Sequence, residues 1–254
     1  WTAIGLAVGT YLNWLIVAKR LRRYSVKLNA ITIPEFFSKR FGEKHKVLMG
    51  IAALIILVFF IPYTASGFAA VGKLFSNLFN INYMAAMIVG AVVIIVYTVM
   101  GGFKAVSTTD LVQSIVMTFA LIVILVFGIK TAGGWKAVCD NANSIAGYIN
   151  MTATTNVLTG EASKYGFITI CSTLAWGLGY FGMPHILVRF MAIESEKKIK
   201  TSRRIASIWV IIAMTISIII GIVGYSMSVN GSIITFENHS AAEAVIVKIS
   251  DLLS

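Results

Sequence analysis

Residues 176–190 read WGLGYFGMPHILVRF. Taken alone, Gly177, Gly179 and Gly182 satisfy G-x-G-x-x-G, the glycine pattern of dinucleotide-binding folds. That pattern has meaning only after a β-strand, before a helix, and with an acidic residue about 20 positions further on. Here the preceding FITICSTLAW (167–176) continues an apolar run, and Pro184 follows almost at once. The glycines therefore interrupt an apolar helix. Each weakens helix by about 1 kcal/mol relative to Ala, and Pro184 removes an intrahelical hydrogen bond. In hydrocarbon such an interruption persists only where the freed backbone groups are buried in protein or line a wet cavity. Secondary transporters place substrate and ions at discontinuous helices of this kind. A plain kink, with glycines for close helix packing, is the competing reading.

Trp176, Tyr180 and Pro184 stand at i, i+4 and i+8. On a regular α-helix each step of four drifts by only about 40°, which would set all three on one face. That face would make a small amphipathic pocket beside the opened backbone, or an aromatic stripe packed on a neighbouring helix.

Composition sets the solvent. Of 254 residues, 58% are hydrophobic and 12% charged, and mean hydropathy is +0.86. A globular protein keeps roughly a quarter of its residues charged because its surface faces water. Most of this surface must face the lipid bilayer instead. The net charge of +11 does not point to nucleic acid, because Lys and Arg gather between apolar runs. Cys139 and Cys171 have no metal or redox spacing. With no nucleophile–base pair, Walker loop or metal cluster in view, the chain reads as something other than an enzyme.

Six apolar runs are long enough to cross a hydrocarbon core, near 1–18, 47–79, 84–100, 110–130, 165–192 and 205–228. The second would reach roughly 50 Å as a helix, so it must tilt or bend, and Pro62 offers a bend point. The loops 19–46 and 189–204, with Lys104 in the link GGFKAVSTT (101–109), hold sixteen of the 21 Lys and Arg residues. By the excess of basic residues on the inner side, these segments are cytoplasmic. The polar segment 131–163 is then external. The tail 241–254 reads as a short amphipathic helix on the outer surface.

Asp110 is the one carboxylate inside these runs. An intramembrane acid is a functional candidate by default, yet TTDLVQ (108–113) also reads as a helix start, where Asp serves as a cap.

The interrupted stretch closely resembles the corresponding helix of the sodium:solute symporter family. YTVMGGFKA (97–105), AVSTTD (105–110), ITIPEFFSKRFG (31–42) and PYTASG (62–67) resemble family motifs in the same order. The similarity runs over nearly the whole chain. It implies an all-α integral membrane fold with an inverted-repeat core of five plus five helices, of which this chain is an internal fragment carrying the second to seventh. The chain is then one partial transmembrane transporter domain over 1–254. The implied activity is sodium-coupled import of L-proline or a similar small solute by alternating access, with the sodium ion as coupling ion and no cofactor. Trp176, Tyr180, Pro184 and Tyr63 match positions associated with substrate, and Asp110 matches an acidic residue associated with sodium coupling. The main sodium site of the family lies between core helices one and eight, outside this set. Met183 departs from the Gln common in proline-transporting members, and Pro62 stands where a non-proline is expected. Two alternatives follow from the same likeness: a transporter-like membrane sensor module of a signalling protein, and a sodium symporter for another solute such as pantothenate.

Overall fold

A computed structural model describes residues 1–155, 161–233, 242 and 244–252. Helices dominate it. Helix α1 (Thr2–Asn13) continues through a π-helical turn, Trp14–Ala18, into α2 (Lys19–Lys27). The short α3 (Ile33–Arg40) precedes α4 (Val47–Phe79) and α5 (Tyr83–Thr131). Next come α6 (Trp135–Asn143) and a two-stranded sheet of β1 (Ala153–Thr155) and β2 (Ala162–Lys164). Then follow α7 (Phe167–Leu174), a 3₁₀ segment (Ala175–Phe181), α8 (Pro184–Ala192), α9 (Ile199–Val229) and α10 (Val245–Asp251).

Several boundaries differ from the sequence expectation, each for a physical reason. Residues 19–27 were expected in a loop, but they extend the first helix. Lys and Arg are good helix formers, and their long stems let the charged heads reach water from a helix end. The link 101–109 is not a loop either. Helix is broken only at Gly102 (φ 56°, ψ −156°) and resumes at once. That conformation belongs essentially to glycine, so one residue separates the helical stretches 83–101 and 103–131. Pro62 lies inside α4, which is helical throughout. Helix α3 begins with a capping box: the Glu35 N–H donates to Thr32 Oγ1 (3.3 Å), and the Ile31 N–H donates to Glu35 Oε2 (2.9 Å).

The chain divides into two compact units. The first comprises Trp1–Ile61, Met151–Ala153 and Lys164–Met214. Its core joins Ala18, Leu21 and Ile33 to Leu187, Phe190 and Met191. Trp14 packs its ring 4.5 Å from that of Phe190. Arg22 donates to the Met191 carbonyl (2.6 Å), and Arg23 pairs with both carboxylate oxygens of Glu196 (3.0 and 2.9 Å). These contacts fix the C-terminal end of α8 on α2.

The second unit comprises Pro62–Asn150, Thr154–Ser163 and Thr215–Ser254. Its core gathers Leu121, Ile124, Val138, Ile220, Val223, Met227 and Ile249. Asn141 of α6, itself part-buried, donates to Oγ of the buried Ser226 (2.7 Å). In the tail, residues 241, 243, 253 and 254 lie outside the described residues. Its helix α10 does not simply float on a surface: Ile249 is fully buried in the core with Val223 and Met227.

Candidate functional site

The stretch 167–192 is a helix in three parts. Helix α7 ends at Leu174, the backbone tightens to 3₁₀ through Phe181, and Met183 is extended (φ −74°, ψ 108°) before Pro184 opens α8 as its first residue. Proline suits that first position, where an N–H would have no partner in any case. The Ile186 and Leu187 N–H groups both donate to the Met183 carbonyl (3.1 and 3.0 Å), which starts α8 cleanly.

The tightened pitch changes which side chains share a face. A 3₁₀ helix has 3.0 residues per turn, so Trp176 and Tyr180 stand about 120° apart and not one above the other. Trp176 is 67% exposed and Tyr180 is half-buried. The single stripe of Trp176, Tyr180 and Pro184 expected from α-helical spacing is therefore not formed. The spacing was right for the wrong helix type.

Helix α1 packs against this segment through its small face. Gly5, Gly9 and Asn13, at i, i+4 and i+8, are its buried residues. A Cβ on Gly5 would lie 2.5 Å from the Leu174 carbonyl oxygen, and one on Gly9 would lie 2.6 Å from the Gly177 carbonyl carbon. Gly177 is itself buried, and a Cβ there would run into the backbone of Gly5. Backbone meets backbone here, as at small-xxx-small crossings in membranes. Gly179 and Gly182 differ. Among the described residues no atom lies within 4 Å of a Cβ built on Gly179, and the nearest to one on Gly182 is 3.9 Å away.

Below the glycine contact, Asn13 Nδ2 donates to the Tyr180 carbonyl oxygen at 2.7 Å, across 167 residues of sequence. In a continuous α-helix that carbonyl would accept from the N–H four residues on. Residue 184 is proline and has none. The chain in any case leaves the helix at Met183, and Asn13 donates to the Tyr180 carbonyl from α1. The composition and motif reading overlooked Asn13, Gly5 and Gly9, although their spacing of four in an apolar helix is a legible packing signal.

Tyr63 and Asp110 belong to the second unit. Tyr63, on α4, is exposed, and its carbonyl accepts from Ser66 Oγ (2.7 Å). Asp110 lies about two turns beyond the break at Gly102, well inside the second stretch of α5. It does not cap that helix, so the capping role expected from TTDLVQ is not formed. The neighbouring Thr108 and Thr109 hydroxyls return to carbonyls of their own helix. Among the described residues no three His, Cys, Asp or Glu side chains gather in a metal-binding group.

The class of protein follows from these elements. Thr2–Lys27, Val47–Phe79, Tyr83–Thr131 and Glu196–Val229 are long and apolar enough to cross a membrane, and in the apolar window of Val47–Phe79 no residue is buried. With the interrupted 167–192 among them, they make an all-α, multi-pass membrane protein. The chain belongs to the sodium:solute symporter family, which matches residues 1–253.

Among curated relatives, the chain is 40% identical over 257 residues to the sodium/proline symporter of Haemophilus influenzae, covering all of this chain and 49% of that protein. It is 39% identical over 254 residues to the sodium/proline symporter of Salmonella typhimurium, with the same coverage. It is 40% identical over 225 residues to the osmoregulated proline transporter OpuE of Bacillus subtilis, covering 88% of this chain and 44% of the relative. The chain thus spans about half the length of the curated relatives it matches. No solved structure matches it. These relatives are transporters and not enzymes.

Proposed function

We propose that the full-length protein imports L-proline or a similar small solute, driven by the sodium gradient. The observation that carries this reading is the interruption at 175–184. It opens a helix in an apolar chain, and it does so in a protein about 40% identical to two sodium/proline symporters. Tyr180 and Trp176, with Pro184 at the start of α8, would contact the solute, and Tyr63 is likewise assigned to solute binding. The N-terminal end of α8 carries the positive pole of the helix dipole, which favours a carboxylate. Gly177, Gly179 and Gly182 allow the backbone to approach. Asp110 is assigned to sodium coupling. The basic segments 19–46 and 189–204 lie on the cytoplasmic side of the plasma membrane, by their share of Lys and Arg.

In such a cycle sodium and solute each bind better when the other is present, a coupling of about 1–3 kcal/mol in typical linked systems. The test is uptake of labelled L-proline by the full-length protein in liposomes under an inward sodium gradient. Uptake should collapse when the gradient is dissipated, and Tyr180→Ala should raise the KM for proline with normal membrane insertion. Uptake indifferent to sodium, or a transport activity competed by pantothenate and not by proline, would refute the reading.

A further inference from the structure

We infer that Asn13 is a positioning residue of the solute site: its side-chain amide holds the interrupted helix in place by donating to the Tyr180 carbonyl near the end of the 3₁₀ segment. Its effect on transport rests on the function proposed above, whereas its effect on the backbone does not.

Three observations converge. First, Asn13 is 1% exposed, in a chain whose apolar helices otherwise bury few polar groups. Burying an amide is unfavourable unless it forms hydrogen bonds, so its retention there calls for a partner. Second, that partner is the Tyr180 carbonyl, 2.7 Å from Nδ2. The carbonyl only accepts, which fixes the amide orientation: the nitrogen must face it. Among the described residues Asn13 Oδ1 has no hydrogen-bond partner, and the donation to Tyr180 is the hydrogen bond that this side chain makes. Third, Asn13 ends α1 where the π-helical turn Trp14–Ala18 begins. The π turn widens the helix locally, and Trp14 then anchors on Phe190 of α8. The first helix thus grips both sides of the interruption, Tyr180 before it and Phe190 after it. The peptide that Asn13 holds belongs to Tyr180, the residue assigned to the solute. Loss of the amide would free the 3₁₀ segment to shift and carry the phenol with it.

The experiment uses the full-length protein and compares two substitutions of Asn13. Asn13→Leu is close in volume and removes the donor. Asn13→Gln keeps an amide donor on a stem one methylene longer. Hydrogen exchange read on peptides spanning 175–187 should rise in Asn13→Leu over the unaltered protein, and should rise less in Asn13→Gln. The KM for proline should increase about tenfold in Asn13→Leu, the equivalent of one hydrogen bond lost at a buried carbonyl, with the maximal rate held within a factor of two. If Asn13→Leu does not accumulate, Asn13→Gln should, with a KM nearer that of the unaltered protein.

Wild-type exchange and KM in Asn13→Leu would overturn the inference and leave the transport reading standing. So would exchange and KM in Asn13→Gln as far altered as in Asn13→Leu, or failure of both variants to accumulate. If the unaltered protein takes up no proline, yet exchange at 175–187 rises in Asn13→Leu and less in Asn13→Gln, the positioning role holds and the transport reading falls.

Discussion

Gly177 and Gly179 are two residues apart in one 3₁₀ segment, yet replacement by Ala should have opposite effects. A Cβ at residue 177 would collide with the Gly5 carbonyl, lie 2.7 Å from the Gly5 carbonyl carbon and 3.1 Å from Gly9 Cα. These are backbone atoms and cannot rotate away. Carbon contacts relax at about 3.5–4.0 Å, so α1 and the 3₁₀ segment must part by about 1 Å. Overpacking of this kind destabilises by about 1–3 kcal/mol. The better helix propensity of Ala returns at most about 1 kcal/mol, which leaves a net loss of roughly 1–2 kcal/mol. The same separation would stretch the Asn13–Tyr180 hydrogen bond from 2.7 Å to about 3.7 Å, beyond a useful length. At residue 179 no atom stands within 4 Å of a Cβ, and only the propensity gain remains, up to about 1 kcal/mol. The assay is the thermal midpoint of each purified full-length variant in one detergent. Gly177→Ala should fall below the unaltered protein and Gly179→Ala should match or exceed it. Equal shifts in the two variants would refute the close backbone contact.

Three further outcomes follow. Gly102→Ala meets no neighbour, so its penalty is purely conformational, about 1–3 kcal/mol for a side chain forced to φ 56°; an unchanged thermal midpoint would contradict the single-residue break. Asp110→Asn should raise the sodium concentration for half-maximal proline uptake without altering helix content, and an identical sodium dependence would remove Asp110 from coupling. In α3, the Lys39 ammonium and the Ile31 N–H hold the Glu35 carboxyl below the usual carboxylate range. A carboxyl lowered by folding stabilises above its unfolded pKa, and that contribution is lost as pH falls through the folded value. Protection of the 31–36 amides against exchange, relative to their intrinsic rates, should therefore fall on acidification below the ordinary Glu range, and Glu35→Gln should abolish that step.

The interruption at 175–184 was legible because glycine and proline act locally: they weaken or block helix wherever they stand. The side-chain arrangement on it was not. Spacing of four implies a shared face only at 3.6 residues per turn, and the pitch of a glycine-rich segment depends on what packs against it. Asp110 looked like a cap because GGFKAVSTT resembles a loop, whereas one glycine with positive φ absorbs the whole break and leaves the rest helical. The basic residues 19–27 looked like a loop for a similar reason, since charge marks the water boundary and not the helix end. The partner of Asn13 was beyond reach. Nothing local in YLNWLIVA (11–18) says that its amide meets a carbonyl at residue 180. Only packing of Gly5 and Gly9 against Leu174 and Gly177 brings the two together.

Whether solute occupies the opened helix can be read from one cysteine. Gly179→Cys faces open space, and in full-length protein with Cys139 and Cys171 replaced, its maleimide labelling rate reports access to the interruption. With solute bound there, sodium and proline together should slow labelling several-fold, and either alone should do far less. A rate that proline leaves unchanged in saturating sodium would mean the interrupted helix is packing and nothing more.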